Sequence, residues 1–187
     1  METRFHGLTF VSDPGRVFSP RATTEKLVDA ALERIRAEPA RVADVGTGAG
    51  VVAITLALRA PLIEVWASDT CANALRLASA NAERLGAQLH LVHGDLLDGL
   101  PRDLDLIVAN LPYLAPGTPG YENEPAAAVF STGDGLDHYR RLLAGAGDHL
   151  APGGGVILQF DGQVLEAERS ELPWLRARLE SLVAAAA

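Results

Sequence analysis

The chain has 187 residues, 48% of them hydrophobic, which is enough for one sizeable core and too little for two full domains. Lys and Arg number 16 against 24 Asp and Glu, and the resulting net charge of −8 argues against any binding mode built on a broad cationic surface over phosphates. A single cysteine, Cys71, excludes a disulfide framework and a cysteine-rich zinc cluster and suits a reducing compartment.

The first residues, Met1 to His6, contain no apolar signal core, and the longest apolar run, Val51 to Leu58, is far too short for a membrane span. A soluble, cytoplasmic protein with no membrane contact is the expectation. Phe5 to Val11 and Arg16 to Phe18 alternate enough to predict a short N-terminal hairpin across Asp13-Pro14-Gly15. Thr23 or Thr24 can cap a helix running to about Ala37, with Leu27, Val28, Ala31, Leu32 and Ile35 on one face and Pro39 ending it.

Strand-like runs follow at 41–45, 63–68, 88–93, 104–109 and 155–160. Helical stretches at 49–59 and 71–85 and a short loop at 94–102 separate the first four; a helix over 137–150 and a Pro152-Gly153-Gly154 turn precede the fifth. Strands alternating with helices predict a doubly wound, Rossmann-like, three-layer α/β fold with a mostly parallel sheet. Residues 1–40 are expected to form a hairpin and helix packed on a main domain of 41–187, the whole being one structural domain. The Pro- and Gly-rich stretch 115–135 has the length of a lid. Past Phe160 the sequence suggests one helix, about 165–182, and no closing strand. Five main strands and an exposed sheet edge open to a partner or dimer contact are therefore expected.

Two turns carry the chemistry. Asp44-Val45-Gly46-Thr47-Gly48-Ala49-Gly50 closes the first parallel strand and opens a helix. Val51 occupies the position where the dinucleotide fingerprint requires a small third residue. An acid beside this turn repels a pyrophosphate and attracts a cation, which fits S-adenosylmethionine, with its ammonium and sulfonium and no phosphate. Asp69, at the next strand end, can accept from ribose hydroxyls, and Asp95, after the third, from an adenine amino group. The candidate cofactor residues are thus Asp44, Gly46, Thr47, Gly48, Gly50, Asp69 and Asp95, with Asn110 adjoining them. The second turn, Asn110-Leu111-Pro112-Tyr113, places an amide, a rigid proline and an aromatic ring at the end of an apolar strand, a combination suited to a flat NH2 group. His90 and His93 alternate on a strand and point to opposite faces, so no metal site is expected.

Together with Phe18 to Glu25 and Gly133 to Arg141, these segments resemble the HemK/PrmC family of release-factor glutamine methyltransferases, class I S-adenosylmethionine-dependent enzymes. The resemblance covers about residues 5 to 165, the catalytic domain alone. It implies a protein substrate, a translation release factor, and N-methylation of a glutamine amide. Asn110 would accept a hydrogen bond from the glutamine NH2 and donate one to its C=O, the Leu111 carbonyl would take the second N–H, Pro112 would hold Leu111 extended, and Tyr113 would pack on the acceptor plane. Phe18 and Pro20 become candidate substrate or cofactor contacts. Glu124 is a further candidate, read on its own residues as a solvated loop acid. Leu111 stands where the family usually has proline. The alternatives are an adenine-N6 methyltransferase on RNA or DNA, less favoured by the acidic balance, and a non-catalytic S-adenosylmethionine-binding subunit of a heterodimer, suggested by the lack of a segment resembling the family's helical N-terminal domain.

Overall fold

The computed structural model describes residues 1–36 and 38–186; the expected helix end at Ala37 lies outside the described residues. In chain order the elements are β1 (Glu2–Phe5), β2 (Leu8–Val11), α1 (Glu25–Ile35), β3 (Arg41–Val45), α2 (Val51–Arg59), β4 (Glu64–Asp69), α3 (Ala72–Leu85), β5 (His90–His93) and β6 (Leu104–Ala109). The series continues with α4 (Ala126–Val129), α5 (Asp137–His149), β7 (Leu150–Phe160), β8 (Gln163–Glu168) and α6 (Leu172–Ala186). A two-stranded hairpin of β1 and β2 accompanies a six-stranded sheet of order β5-β4-β3-β6-β7-β8, parallel except for β8. The doubly wound, mostly parallel fold expected from the sequence is the fold observed.

Both faces of the sheet are covered, which is why the central strands read as unbroken apolar runs. Alternate residues of β3, β6 and β7 divide between two cores. Val42, Leu106, Val108 and Ile157 meet Leu27, Val28 and Ala31 of α1 and Ile54 of α2. Ala43, Ile107, Val156 and Leu158 meet Leu142 and Ala146 of α5 and Leu175 and Leu179 of α6. The chain steps outward from β3 through β4 to β5, then returns to place β6 on the other side of β3. That reversal is the topological switch point, where crevices open beyond the strand carboxyl ends.

Four expectations need correction. The hairpin pairs Glu2–Phe5 with Leu8–Val11 across His6-Gly7, both at positive φ (49° and 78°), a turn geometry matched to strand twist. His6 is held there by α1: its backbone N–H donates to Glu25 Oε1 at 2.6 Å, and its ring Nε2 lies 3.0 Å from Asp29. Asp13 to Val17 forms a separate turn. Second, neither Thr23 nor Thr24 caps α1 through its side chain; a short 3-10 turn, Ala22–Thr24, leads into the helix. Third, Pro152-Gly153-Gly154 is no free turn but an irregularity inside β7, which already pairs at Leu150 with Leu104 before resuming at Gly155 with Leu106.

Fourth, a closing strand does exist. Gln163–Glu168 turns back antiparallel on β7 through Asp161-Gly162, both at positive φ (47° and 71°), so the helix begins only at Leu172 and the sheet edge beside β7 is filled. The sheet ends instead at β5 and β8. Among the described residues no helix is long and apolar enough to cross a membrane.

Gly50 and Gly162 separate two costs. A side chain at Gly162 meets nothing within 4 Å, whereas one at Gly50 would lie 2.9 Å from Ile54 Cδ1 and 3.0 Å from Ala78 Cβ, both glycines having positive φ. Gly162→Ala is expected to cost about 1 kcal/mol, from backbone strain alone. Gly50→Ala should cost on the order of 3 kcal/mol, because overpacking of α2 on α3 adds to the strain. Urea denaturation of both variants checks the ranking, and equal losses would contradict it.

Candidate active site

The switch point opens into a cavity of about 260 Å³. Its walls are the glycine turn after β3, the ends of β4 and β5, the tetrad after β6, residues 16–24 ahead of α1, and part of the 115–135 stretch. In-register parallel pairing brings these ends together: Val45 pairs with Ser68 and with Ala109, and Ala109 with Leu158.

Asp44 is the buried charge of this site, 2% exposed. It sits on the face of β3 toward α2, and its Oδ2 accepts from the Thr47 hydroxyl at 2.7 Å and from the Ala53 N–H at 3.2 Å. The second bond satisfies an otherwise unpaired amide in the first turn of α2, whose capping residue, Gly50, has no side chain to offer. Burial raises the Asp44 carboxyl from the usual 3.8 to about 6; the Thr47 and Ala53 bonds oppose this, and the neighbouring Asp69 adds to it. Asp69 ties the turn to β4, accepting from Gly48 N–H at 2.9 Å and from Cys71 N–H at 2.8 Å. The glycine turn is thus flanked by two carboxylates, Asp44 and Asp69, a pair that fits a positively charged ligand and opposes a phosphate, while Arg16 and Arg21 line the cavity from the segment before α1.

Gly46, Thr47, Gly48, Asp69 and Asp95 line the cavity, as do Phe18 and Pro20. Gly50 does not: it is packed beneath the turn against Ala78 of α3. Asp95 is engaged by Arg141 of α5.

Asn110, Leu111, Pro112 and Tyr113 all line the cavity. Asn110 Nδ2 donates to Thr24 Oγ1 at 3.2 Å, which orients the amide and leaves Oδ1 without a protein donor among the described contacts. Leu111 is 5% exposed, and its Cδ2 would stand 2.9 Å from a side chain at Gly46, so the two turns touch. Tyr139, wholly buried on the opposite face, fixes the tetrad's backbone. Its hydroxyl accepts from Leu111 N–H at 3.1 Å, and its single proton lies between the carbonyls of Gln159 (2.5 Å) and Leu111 (3.2 Å). Burial pushes the phenol far above its ordinary pKa, so it stays a donor. The Tyr113 ring rests on Phe160 with centroids 4.9 Å apart.

Glu124 is not the solvated acid expected. Its side chain is 10% exposed and accepts from Ser19 N–H at 3.0 Å and from Arg21 at 3.4 Å, clasping the 115–135 stretch to the segment before α1. Arg21 also lies over the Tyr121 ring at 4.8 Å and the Phe18 ring at 5.3 Å. Residues 115–129 form a loop closed at its base, where Leu114 N–H donates to Val129 and Leu114 C=O accepts from Ser131. Sequence reasoning gave Thr23 and Thr24 only a capping role, and gave none to Arg21, Tyr139 or Gln159. Tyr139 stood inside a quoted segment, but nothing local revealed that it reaches across the sheet. Elsewhere in Gly133–Arg141, Asp134 holds Arg140 at 2.8 and 2.7 Å and Arg140 reaches Glu180 of α6 at 3.3 Å, while His138 lines the cavity.

A family model described as methyltransferase small domain matches residues 7–168. The chain is 40% identical over 182 residues to a release factor glutamine methyltransferase of Deinococcus radiodurans, covering 92% of this chain and 65% of that one. It is 39% identical over 164 residues to the protein of the same name from Bordetella pertussis, covering 83% and 61%. The chain thus spans less than two thirds of the length of these relatives. Among solved structures, a ribosomal protein L11 methylase from Lactobacillus delbrueckii subsp. bulgaricus aligns with a TM-score of 0.58 at 30% identity, over 78% of this chain and 63% of that one. A T. thermophilus 16S rRNA N2 G1207 methyltransferase, solved with AdoMet and guanosine, shares the fold with a TM-score of 0.63 at 21% identity, over 84% and 40%. With a cavity assembled at the switch point and a family model covering most of its length, the chain belongs to the methyltransferase small domain family.

Proposed function

We propose that the chain is the catalytic part of an S-adenosylmethionine-dependent methyltransferase whose acceptor is a glutamine side-chain amide of a translation release factor. The observation that carries this reading is the meeting of the acid-flanked glycine turn and the Asn110 tetrad in one cavity, Leu111 against Gly46. The relatives' names supply the release factor, and such a substrate fits a cytoplasmic setting. In this reading residues 41–187 hold cofactor and tetrad, while residues 1–40 contribute Phe18, Pro20, Thr23 and Thr24 to the cavity wall. Adenine would offer Asn110 a similar NH2 group, but the net charge of −8 gives a nucleic acid no general attraction.

When bound, S-adenosylmethionine supplies a methyl group on a positively charged sulfur. Asp44, where ionised, would attract that cation from inside the wall, Asp69 could accept from ribose hydroxyls, and the glycine turn would admit close backbone approach. An amide nitrogen is a weak nucleophile because its lone pair is delocalised into the carbonyl. Asn110 Oδ1 would accept one of its N–H groups and the free Asn110 N–H would donate to its C=O, fixing the orientation of the amide. A second acceptor on the remaining N–H pulls the nitrogen toward the pyramidal geometry that attack requires. The resemblance assigns that place to the Leu111 carbonyl. The contribution of this chain is orientation and electrostatics, with no base of high strength needed.

Labelled-methyl transfer to a purified release factor tests the reading. Asn110→Ala is expected to lower kcat at least about 100-fold while S-adenosylmethionine affinity by calorimetry stays nearly unchanged; full activity in this variant would refute the assignment. Asp44→Asn should act oppositely on fold and ligand. Because its pKa is raised on folding, the carboxylate is neutral to stability below about pH 4. Its cost grows as pH rises, and above about pH 6 the ionised form weakens the fold by about 3 kcal/mol. The variant should therefore gain up to that much stability at pH 8 and almost none at pH 4, yet bind S-adenosylmethionine about tenfold more weakly or worse at pH 8. Lower stability at pH 8 with unchanged affinity would contradict both halves.

A further inference from the structure

Two irregular segments meet at the cavity wall, and neither belongs to the sheet or to a long helix. Residues 16–24 reach both halves of the site: Val17 Cγ1 would lie 4.0 Å from a side chain at Gly48 of the glycine turn, and the Thr24 hydroxyl takes the Asn110 amide at 3.2 Å. Residues 115–129 run on from the tetrad and line the cavity with Tyr121, Pro125 and Ala128 among others. None of residues 115–128 is buried, so little apolar packing holds this loop down.

Its hydrogen bonds are mostly its own. Thr118 turns back on Ala115, Glu124 N–H on Tyr121 and Ala128 N–H on Pro125. Apart from the base, where Leu114 and Phe130 donate to Val129 and Ala126, every hydrogen bond that leaves 115–129 among the described residues is made by the Glu124 side chain. One of its oxygens accepts from Ser19 N–H at 3.0 Å and the other from Arg21 at 3.4 Å. At 10% exposure the carboxylate is poorly screened, which strengthens both bonds. Arg21 adds a second link, lying over Phe18 of its own segment at 5.3 Å and over Tyr121 of the loop at 4.8 Å. Its Nε is buried with no hydrogen-bond partner, so ring faces hold this guanidinium as much as the carboxylate does.

We infer that Glu124 is a positioning residue for the cofactor: it fastens residues 115–129 to residues 16–24 as a strap across the cavity, and S-adenosylmethionine and its spent form, S-adenosylhomocysteine, exchange only when the strap lets go. This rests on the cofactor reading given under Proposed function and is independent of which acceptor is methylated. The strap suits repeated opening. Releasing one side chain frees the loop down to its base, while the sheet, the glycine turn and the tetrad keep their own supports.

The test follows the release of labelled S-adenosylhomocysteine from the purified chain after an unlabelled chase. Glu124→Ala should release it about tenfold faster than the wild type or more, with a weaker equilibrium affinity and an unchanged melting temperature, since the loop buries so little. Glu124→Gln keeps an oxygen for Ser19 N–H and loses the charge, so its release rate should fall between the two. Glu122→Ala, which removes an exposed acid bonded only to Gly120 of the same loop, should release at the wild-type rate. An unchanged release rate in Glu124→Ala would overturn the inference, as would an equal acceleration in Glu122→Ala, which would mark a general loosening of the loop. No binding of S-adenosylhomocysteine by the wild type would refute the cofactor reading, and the inference would fall with it.

Discussion

Everything at this site depends on the register in which β3, β4, β6 and β7 lie. Val45, Ser68, Ala109 and Leu158 form one row across the sheet, so the residues that follow them emerge together at the switch point. A slip of one residue in β6 would exchange its two faces. Leu106 and Val108 would then face α5 and Ile107 and Ala109 would face α1, and Asn110 would point away from Thr24. The register is held by residues with almost no exposure on both faces of the strand. The apolar core is thus what aims the polar groups, and none of them needs a flexible loop to find its partner.

The two faces divide the work. Toward α1 and α2 lie the polar side chains of the cavity, Asp44, Asn110 and Gln159, steadied by Thr47, Thr24 and Thr23. Toward α5 lies Tyr139, which is outside the cavity wall and grips the backbone at the ends of β6 and β7 just below those side chains. Asp44 joins the two concerns, because the carboxylate that pairs the first turn of α2 is also the one whose ionisation opposes folding. A fold that accepts such a charge trades stability for ligand attraction.

Much of this was legible in the sequence, and the failures have physical reasons. Arg41–Val45 and Leu104–Ala109 match their expected bounds because strands buried on both faces announce themselves by length and apolarity. The tetrad and the glycine turn were visible as polar residues where such strands stop. β8 was missed because Gln163-Val164-Leu165-Glu166-Ala167-Glu168 consists, apart from Val164, of good helix formers, and pairing with β7 overrides that preference. The Asp-Gly dipeptide before it was the hairpin signal that should have outweighed composition. Glu124 and Gln159 could not be placed, since one contacts residues more than 100 positions away and the other reaches across 136. A carboxylate or amide shows its partner in the sequence only when that partner is local.

The contact between Leu111 and Gly46 binds the histories of two turns. Leu111 Cδ2 lies 2.9 Å from where a side chain at Gly46 would begin, so any residue larger than glycine at 46 requires a smaller or displaced one at 111. Substitution on the cofactor side is therefore constrained by the acceptor side, and the reverse. A mutation at 46 has to move the tip of Leu111 and also bear the strain of its own positive φ of 76°, so two turns 65 positions apart in the chain are coupled through one contact.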